Sequence, residues 1–571
     1  MAALLAAGGP ALFATTTGSG LSLVGACTDQ WSMYQHDPAH HAAPSCSAIN
    51  PLNVTAMHPA WLFQTPQPVT ATPTVAGGQL YVGDAGGTFY DINAATGADP
   101  AVWTFSIAKF SCPGDPAATD QHTPSYGGIT SSAAVGSVPG LADPVVYFGG
   151  GGTLFALDAK NGNCLWAQDL DPQNPTSAME VESSPVLLRN GDNLASEVLV
   201  GSDVNESPGS SAPPGLQAFD AKTGALLWKF EPENNTTVGT LSSAPDTDGC
   251  GDVWSSPALD QHATGNGHSA GLVVLTTGNC PQLATEQPGV ADQPAACPHS
   301  PASSPPELEG IAALDAATGC LVWRWSEPPS AYTGTNYPDG GDTDIGSSPI
   351  LGAIKGPNGA ENVVLDGSKS GHMYALDELT GSTVWAAQPA QPGETGPAFA
   401  GAIGGFIGSL ALDNVNGRPT VFGSTAIPMP FDGNGAPSPD TTLVCVDTSS
   451  GTPAPAQHCD PLRLASLHAV DADTGSTLWQ GLVSLPSYAA TTTTNGVVFA
   501  PSTTGFAIAA YSALTGIPLW AFPTGGAMSS GAAIVGPSVF VGAGTAQQFG
   551  PPGTPTIPPA QVNGVWCFTV A

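Results

Sequence analysis

An eleven-residue pattern, A-x-D-x-x-T-G-x-x-x-W, recurs along the chain and narrows what it can fold into. Residues 375–385 read ALDELTGSTVW. Residues 156–166, 218–228, 313–323 and 469–479 read ALDAKNGNCLW, AFDAKTGALLW, ALDAATGCLVW and AVDADTGSTLW. Weaker copies end at Trp103, with two extra residues, and at Trp520. A motif repeated at long spacing marks a repeat architecture. Each copy is a short apolar alternation, a turn, and a second run ending in Trp. The Asp and Thr form local turn hydrogen bonds, and the Gly takes positive φ. The Trp is a large apolar plug for a neighbouring unit. A lone hairpin cannot bury its faces, so such units must stack.

With Trp61 of PAWLFQ included, the tryptophans stand at 61, 103, 166, 228, 323, 385, 479 and 520, at intervals of 41 to 95 residues. A four-stranded blade takes about 40–50 residues, so the longer intervals carry insertions. The pattern predicts an all-β, eight-bladed β-propeller. Val539–Gly544 and Gly564–Val570 read as two strands without a final Trp strand, which Ala60–Gln64 can supply. The last blade is therefore expected to combine both chain ends and leave no open edge.

Length alone, at 571 residues, would suggest three or four domains. A propeller instead spends that length on repeats, giving one domain over 28–571, with loop insertions near 280–307 and 427–460. The 71 Gly and 56 Pro suit a turn-rich β protein. A net charge of −35, with ten Lys and Arg, argues against nucleic-acid or anionic-membrane partners. It fits an acidic, periplasmic or extracellular surface; a lineage-wide avoidance of Lys would read the same.

Residues 1–27 form a leader-like or disordered segment, apolar as a signal-peptide core but without a basic start. VGAC at 24–27 resembles a lipoprotein cleavage box; the favoured alternative is a plain Cys27–Cys46 disulfide. No stretch is apolar for long enough to span a membrane. None of the eleven cysteines lies in CxxCH, so attached haem is not indicated. Disulfides are expected in an exported protein. Cys280–Cys297 and Cys445–Cys459 could staple loops, and the odd count leaves one cysteine over. The lead-in 28–60 holds His36, His40 and His41, grouped like metal ligands; with nothing in the sequence to order them, a solvated segment is expected.

Three stretches carry chemistry. They are WSSPALD at 254–260 followed by GLVVLTTGN at 271–279, GDTDIGSSP at 341–349, and SKSGHMYALD at 368–377. With the repeats, they resemble the quinoprotein alcohol dehydrogenases, eight-bladed propellers that bind pyrroloquinoline quinone near the axis. The opening QWSMYQHDPAHH and the lack of a vicinal Cys pair are most similar to the polyvinyl-alcohol-dehydrogenase-like branch. The resemblance implies that Trp254 forms the floor under the quinone and that Asn279 binds metal beside it. It implies Asp342 as general base, with Asp344 as second choice and further ligand. It places Lys369 at the reactive carbonyl, and Glu206, in VNES, as a carboxylate ligand. The metal implied is Ca²⁺ or a lanthanide. The plain alternatives are a core Trp254, a turn-capping Asn279 and two loop carboxylates. The family's vicinal Cys ring is missing, and no Arg partner for the quinone carboxylates stands out.

The function expected is a dehydrogenase that oxidises an alcohol, polymeric or small, and passes electrons to an external acceptor such as a cytochrome c. The competing expectation is a non-catalytic or degenerate propeller acting as an extracytoplasmic scaffold. Nucleophile-elbow, HExxH and phosphate-loop motifs are all lacking.

Overall fold

The computed structural model describes residues 27, 29–113, 115–205, 210, 213–232, 236–241, 251–264, 271–278, 310–327, 345–356, 359–390, 405–426, 466–482, 487–503, 505–545 and 561–570, plus short strands elsewhere. Eight antiparallel sheets form the blades. Blade 1 runs Thr74–Ala76, Gln79–Gly83, Thr88–Asn93 and Trp103–Ser106. Blade 4 runs Ala258–Asp260, Leu272–Thr277, Gly310–Asp315 and Leu321–Ser326. Blade 5 runs Ile350–Gly356, Gly359–Gly367, Met373–Asp377 and Thr383–Ala387. Blade 3 adds a fifth strand, Thr236–Val238.

Closure follows the expectation. Ala532–Val535, Ser538–Ala543 and Gly564–Thr569 form blade 8, and His58–Gln64 pairs with Gly564–Thr569 as its outer strand. The first strand of each blade touches the first strand of the next, and the series returns from Ala532–Val535 to Thr74–Ala76.

The repeated motif is the joint between blades. The Trp of one blade lies on the Gly of the next blade's turn. A β-carbon at Gly162, Gly224, Gly319 or Gly381 would come within 2.6 Å of the indole of Trp103, Trp166, Trp228 or Trp323. Those glycines also hold φ near +70°, so two independent reasons exclude a side chain there. The ring N–H of Trp103, Trp166, Trp385 and Trp479 donates to the carbonyl of Ala159, Ala221, Ala472 and Ala513, at 2.9–3.2 Å. Trp520 closes the circle by donating to Met57, 2.9 Å. Within each turn the Asp acts as foreseen: Asp220 Oδ1 accepts from the Thr223 N–H and hydroxyl, 2.8 and 2.7 Å.

The lead-in departs from the solvated segment expected. Trp31 is fully buried, and Gln35 and His40 are 1% exposed. The backbone of Trp31 pairs with Val75 of blade 1. Carbonyls of Ser32, Pro38, Ala39, His41 and Ala42 accept from Val135, Leu259, Leu351, Leu412 and Thr493, and Ala48 donates to Gly536. Residues 31–48 thus plug one end of the ring and bond to seven of the eight blades. The histidines are tied locally: His41 Nδ1 lies 2.9 Å from Asp37, and His36 Nε2 lies 3.1 Å from Asp29. Burial opposes their charge, but these carboxylates outweigh it and raise both imidazoles above the ordinary value. Polar side chains suggested solvent, but the blades' first strands leave N–H groups that need an acceptor at the axis, and the lead-in supplies it.

Cys27 pairs with Cys46, as favoured from the sequence, and Cys112 pairs with Cys164. Cys567 is a buried free thiol, pushed by burial up to about 12. The pairings weighed for Cys280–Cys297 and Cys445–Cys459 fall outside the described side chains, and the insertions near 280–307 and 427–460 lie largely outside the described residues.

Candidate active site

An axial cavity of about 170 Å³ opens inside the ring. Its wall comes from the segment just before each blade's first strand. An extended chain presents every second residue to one side, so each blade contributes a pair: Thr70 and Thr72, Thr130 and Ser132, Glu182 and Ser184, Trp254 and Ser256, Gly346 and Ser348, Ile407 and Ser409, Tyr488 and Ala490, Ser529 and Gly531. The first members form one tier and the second members another, roughly 7 Å along the axis.

The second tier is a hydrogen-bonded circle. The Gly531 N–H donates to Thr72 Oγ1, and Thr72, Ser132, Ser184, Ser256 and Ser348 N–H groups donate in turn to the next hydroxyl, ending at Ser409, all at 2.9–3.0 Å. The chain of bonds lapses at blade 7, the sheet from Thr492–Thr494 to Pro518–Pro523, where Ala490 carries no hydroxyl. Tyr34, from the plug, lines the cavity there and donates to Ser409 Oγ, 2.9 Å. The recurring Ser-Ser-Pro at 183–185, 255–257 and 347–349 was the signal that could have revealed this ring from sequence.

Trp254 is the blade 4 member of the first tier, and a β-carbon at Gly346 beside it would sit 3.1–3.3 Å from the Ile407 Cα, the Phe406 carbonyl and the edge of the Trp254 ring. Lys369 stands on the turn between Gly359–Gly367 and Met373–Asp377, with its Nζ 5.7 Å from the Trp254 ring centroid. The fold thus brings together two residues more than a hundred positions apart. Thr70 and Ser529, also in this tier, have buried hydroxyl oxygens without a hydrogen-bond partner.

Glu206, Asn279, Asp342 and Asp344 lie outside the described residues. Their described neighbours reach the cavity wall. Asn205 Oδ1 accepts from the hydroxyl of Tyr126, a lining residue, at 3.2 Å. Gly278 N–H donates to Asp252, two residues before Trp254. Gly346 is itself in the first tier. Among the described residues, no three His, Cys, Asp or Glu are arranged to hold a metal.

Sequence reasoning missed Glu182, Tyr126, Tyr34 and Tyr488. Glu182 lines the cavity next to Trp254 and belongs to a buried acidic group. Burial, then repulsion from Glu180 and Asp252, holds its carboxyl well above the usual range. Burial pushes Glu180 up to about 7, against hydrogen bonds from Ser125. Asp203 is raised by burial and by Glu180, Glu182 and Asp252, and both its carboxylate oxygens lack hydrogen-bond partners.

The family profile described as glucose/ethanol/alcohol dehydrogenase, beta-propeller domain, matches residues 31–393. The chain belongs to this family. A second profile, outer membrane protein assembly factor BamB, matches residues 433–547. Among characterised relatives of this dehydrogenase-family propeller, a lupanine 17-hydroxylase [cytochrome c] of Pseudomonas sp is 24% identical over 87% of the chain and 70% of its own length. A polyvinylalcohol dehydrogenase of Sphingopyxis sp. (strain 113P3) is 23% identical over 63% of the chain and 50% of its own length. The chain therefore spans half to about two-thirds of the length of these relatives. The quinohemoprotein alcohol dehydrogenase structure from Comamonas testosteroni superposes with a TM-score of 0.64 at 20% identity, over 95% of this chain and 81% of that one. It has the same fold.

Proposed function

We propose that this propeller is a pyrroloquinoline-quinone-dependent dehydrogenase that oxidises an alcohol. The observation that carries the reading is the approach of Lys369 to Trp254, a residue of the axial cavity wall, in a chain of this family. The residues present fit a flat, electron-poor, acceptor-rich molecule. The Trp254 indole offers a face for stacking. The orphaned hydroxyls of Thr70 and Ser529 offer donors to carboxylate oxygens. When bound, pyrroloquinoline quinone supplies two-electron redox chemistry that no side chain here possesses.

The chain's own groups do the rest. The Lys369 ammonium, shielded from water, stabilises negative charge developing on an oxygen held over Trp254. Asp342, or Asp344 in its place, takes the hydroxyl proton of the alcohol. Asn279, Glu206 and the Asp pair are the residues that would hold the metal, and their oxygens are the donor types that suit Ca²⁺ or a lanthanide. The plug bonds at one end of the ring and Tyr34 fills in beside Ala490, so bulk water is excluded from that side. Small alcohols and secondary alcohols of a polymer are the substrate class, with an external one-electron carrier such as a cytochrome c as acceptor. No helix among the described residues is long and apolar enough to cross a membrane, and a periplasmic or extracellular setting suits the acidic surface.

The test is a titration of chelator-stripped protein with pyrroloquinoline quinone plus Ca²⁺ or La³⁺, following quinone absorbance and thermal stability together. One-to-one, metal-dependent saturation is expected. Absence of binding with either metal would return the protein to the scaffold reading.

A further inference from the structure

Lys369 sits in a turn that blade 1 reproduces, with one difference. In blade 1 the turn after Gly83 begins at Asp84, whose N–H donates to Thr88 and whose carbonyl accepts from Gly87, 2.9 and 3.0 Å. In blade 5 the turn after Gly367 begins at Ser368, with the same two bonds to His372 and from Gly371, both 3.0 Å. Asp84 fastens its own turn: its carboxylate accepts from Gly86, Thr88 and the Tyr90 hydroxyl, at 2.8–3.0 Å. Ser368 Oγ accepts from the Ser370 N–H, 3.0 Å, but it offers one oxygen where the carboxylate offers two, and Tyr374 stands where Tyr90 does. The missing carboxylate comes from the neighbouring blade. Glu327 follows the outer strand Leu321–Ser326 of blade 4. Its Oε2 accepts from Ser368 Oγ, 2.7 Å, and its Oε1 accepts from the hydroxyls of Ser370 and Tyr374. The Glu327 side chain is 2% exposed. Its oxygens therefore grip the residues on both sides of Lys369 from within the protein. His372 completes the cluster, with Nδ1 2.9 Å from Ser370 Oγ.

We propose that Glu327 is a positioning residue: reaching from blade 4, it clamps the blade 5 turn and fixes the Lys369 ammonium over the Trp254 indole. The proposal deepens the quinoprotein reading and, for its catalytic meaning, rests on it. The indole belongs to blade 4 and the ammonium to blade 5, so their separation depends on how the two blades are tied. A carboxylate within the turn, as in blade 1, would hold the turn but not the distance between blades. A buried carboxylate accepting three hydroxyl protons makes a stiff tie, because charge-assisted hydrogen bonds are the strong ones.

The test uses the full chain and two readouts. The first is the acylation rate of Lys369 by a small anhydride, read by peptide mass spectrometry, with the exposed Lys109 and Lys222 as internal standards. The second is the affinity for pyrroloquinoline quinone across the cycle of wild type, Glu327→Ala, Lys369→Ala and the double variant. Loss of the clamp is expected to speed Lys369 labelling about tenfold and to weaken quinone binding by a similar factor. The weakening should vanish once Lys369 is already Ala, because a residue that acts through another adds nothing in its absence. Glu327→Gln, which keeps shape and one acceptor, should fall between, and it decides by the same two numbers if the Ala variant does not fold. Unchanged labelling overturns the proposal, as does an equal loss of affinity in both backgrounds, which would make Glu327 a general structural group. If labelling quickens but Lys369→Ala binds quinone like wild type, the clamp stands and the quinone role of Lys369 falls.

Discussion

Two of the six lysines are buried, and they do different work. Lys229 spends its ammonium on the carbonyls of Pro213 and Leu241, 2.6 and 3.0 Å, and faces Glu231 at 3.4 Å. It is a structural cation in blade 3. Lys369 instead faces an aromatic ring on a cavity wall. Replacing Lys369 by Ala is expected to leave the far-ultraviolet spectrum and melting temperature near wild type. Dye-linked alcohol oxidation should fall by about 10²–10³, the usual cost of a lost transition-state donor. Wild-type-like turnover would remove Lys369 from the site. Trp254→Phe should cost less than Trp254→Ala in quinone affinity, because a smaller ring still offers a stacking face.

At the scale of the element, the turn and its Trp make one device. Gly381 and Gly417 separate its two requirements. Both hold positive φ, +69° and +85°, but a β-carbon at Gly381 would meet Trp323 at 2.5 Å, whereas nothing lies within 4 Å at Gly417. Gly417→Ala should therefore cost about 1 kcal/mol through backbone strain alone. Gly381→Ala should cost about 1–3 kcal/mol more, because the indole must move. Denaturant unfolding of the two variants measures the difference, and equal losses would show that the Trp does not need that contact. The plug is a second device. Trp31 lies at 0% exposure in the largest core cluster. Its replacement by Ala should cost about 3–5 kcal/mol, read as a lower unfolding midpoint.

The whole molecule stores protons. Burial raises Asp91, Glu197 and Glu378 each to about 7. Between the unfolded carboxylate range, near 4, and 7, the native state holds protons that the unfolded chain has lost, so these groups lower stability as pH rises. His40 and His468 act oppositely, because burial depresses each to about 4 and folding is favoured as pH rises toward their ordinary 6.5. The two effects oppose each other below about pH 6.5, and above it only the falling contribution remains. His36, His41 and His122, raised by neighbouring carboxylates against burial, lose their contribution in that same upper range. The melting temperature is thus expected to drop between pH 6.5 and 8. The triple variant Asp91→Asn, Glu197→Gln, Glu378→Gln should flatten that drop, and an unchanged slope would point to other groups. Closure is also global. Ending the chain before Gly564 would leave His58–Gln64 and Ser538–Ala543 with open edges. Size-exclusion chromatography should then show larger species than the full chain gives.

The order of blades, the docking turns and the joining of both ends were legible in the sequence, because each is local. Asp, Thr, Gly and Trp keep one spacing, and that spacing dictates a turn and a plug wherever it occurs. Lys369 and Trp254 could be named singly from the resemblance of their motifs to the quinoprotein family. What only the tertiary structure decided depends on the axis. The two tiers arise because eight short segments, far apart in sequence, point every second residue at one line. The lead-in looked like solvated polar chain, yet it became the plug because the first strands leave backbone donors that must be answered. Glu327 carried no motif at all. Its role exists only because one blade lends a carboxylate to the next, and no spacing along the chain records that the end of an outer strand reaches the neighbouring blade's turn.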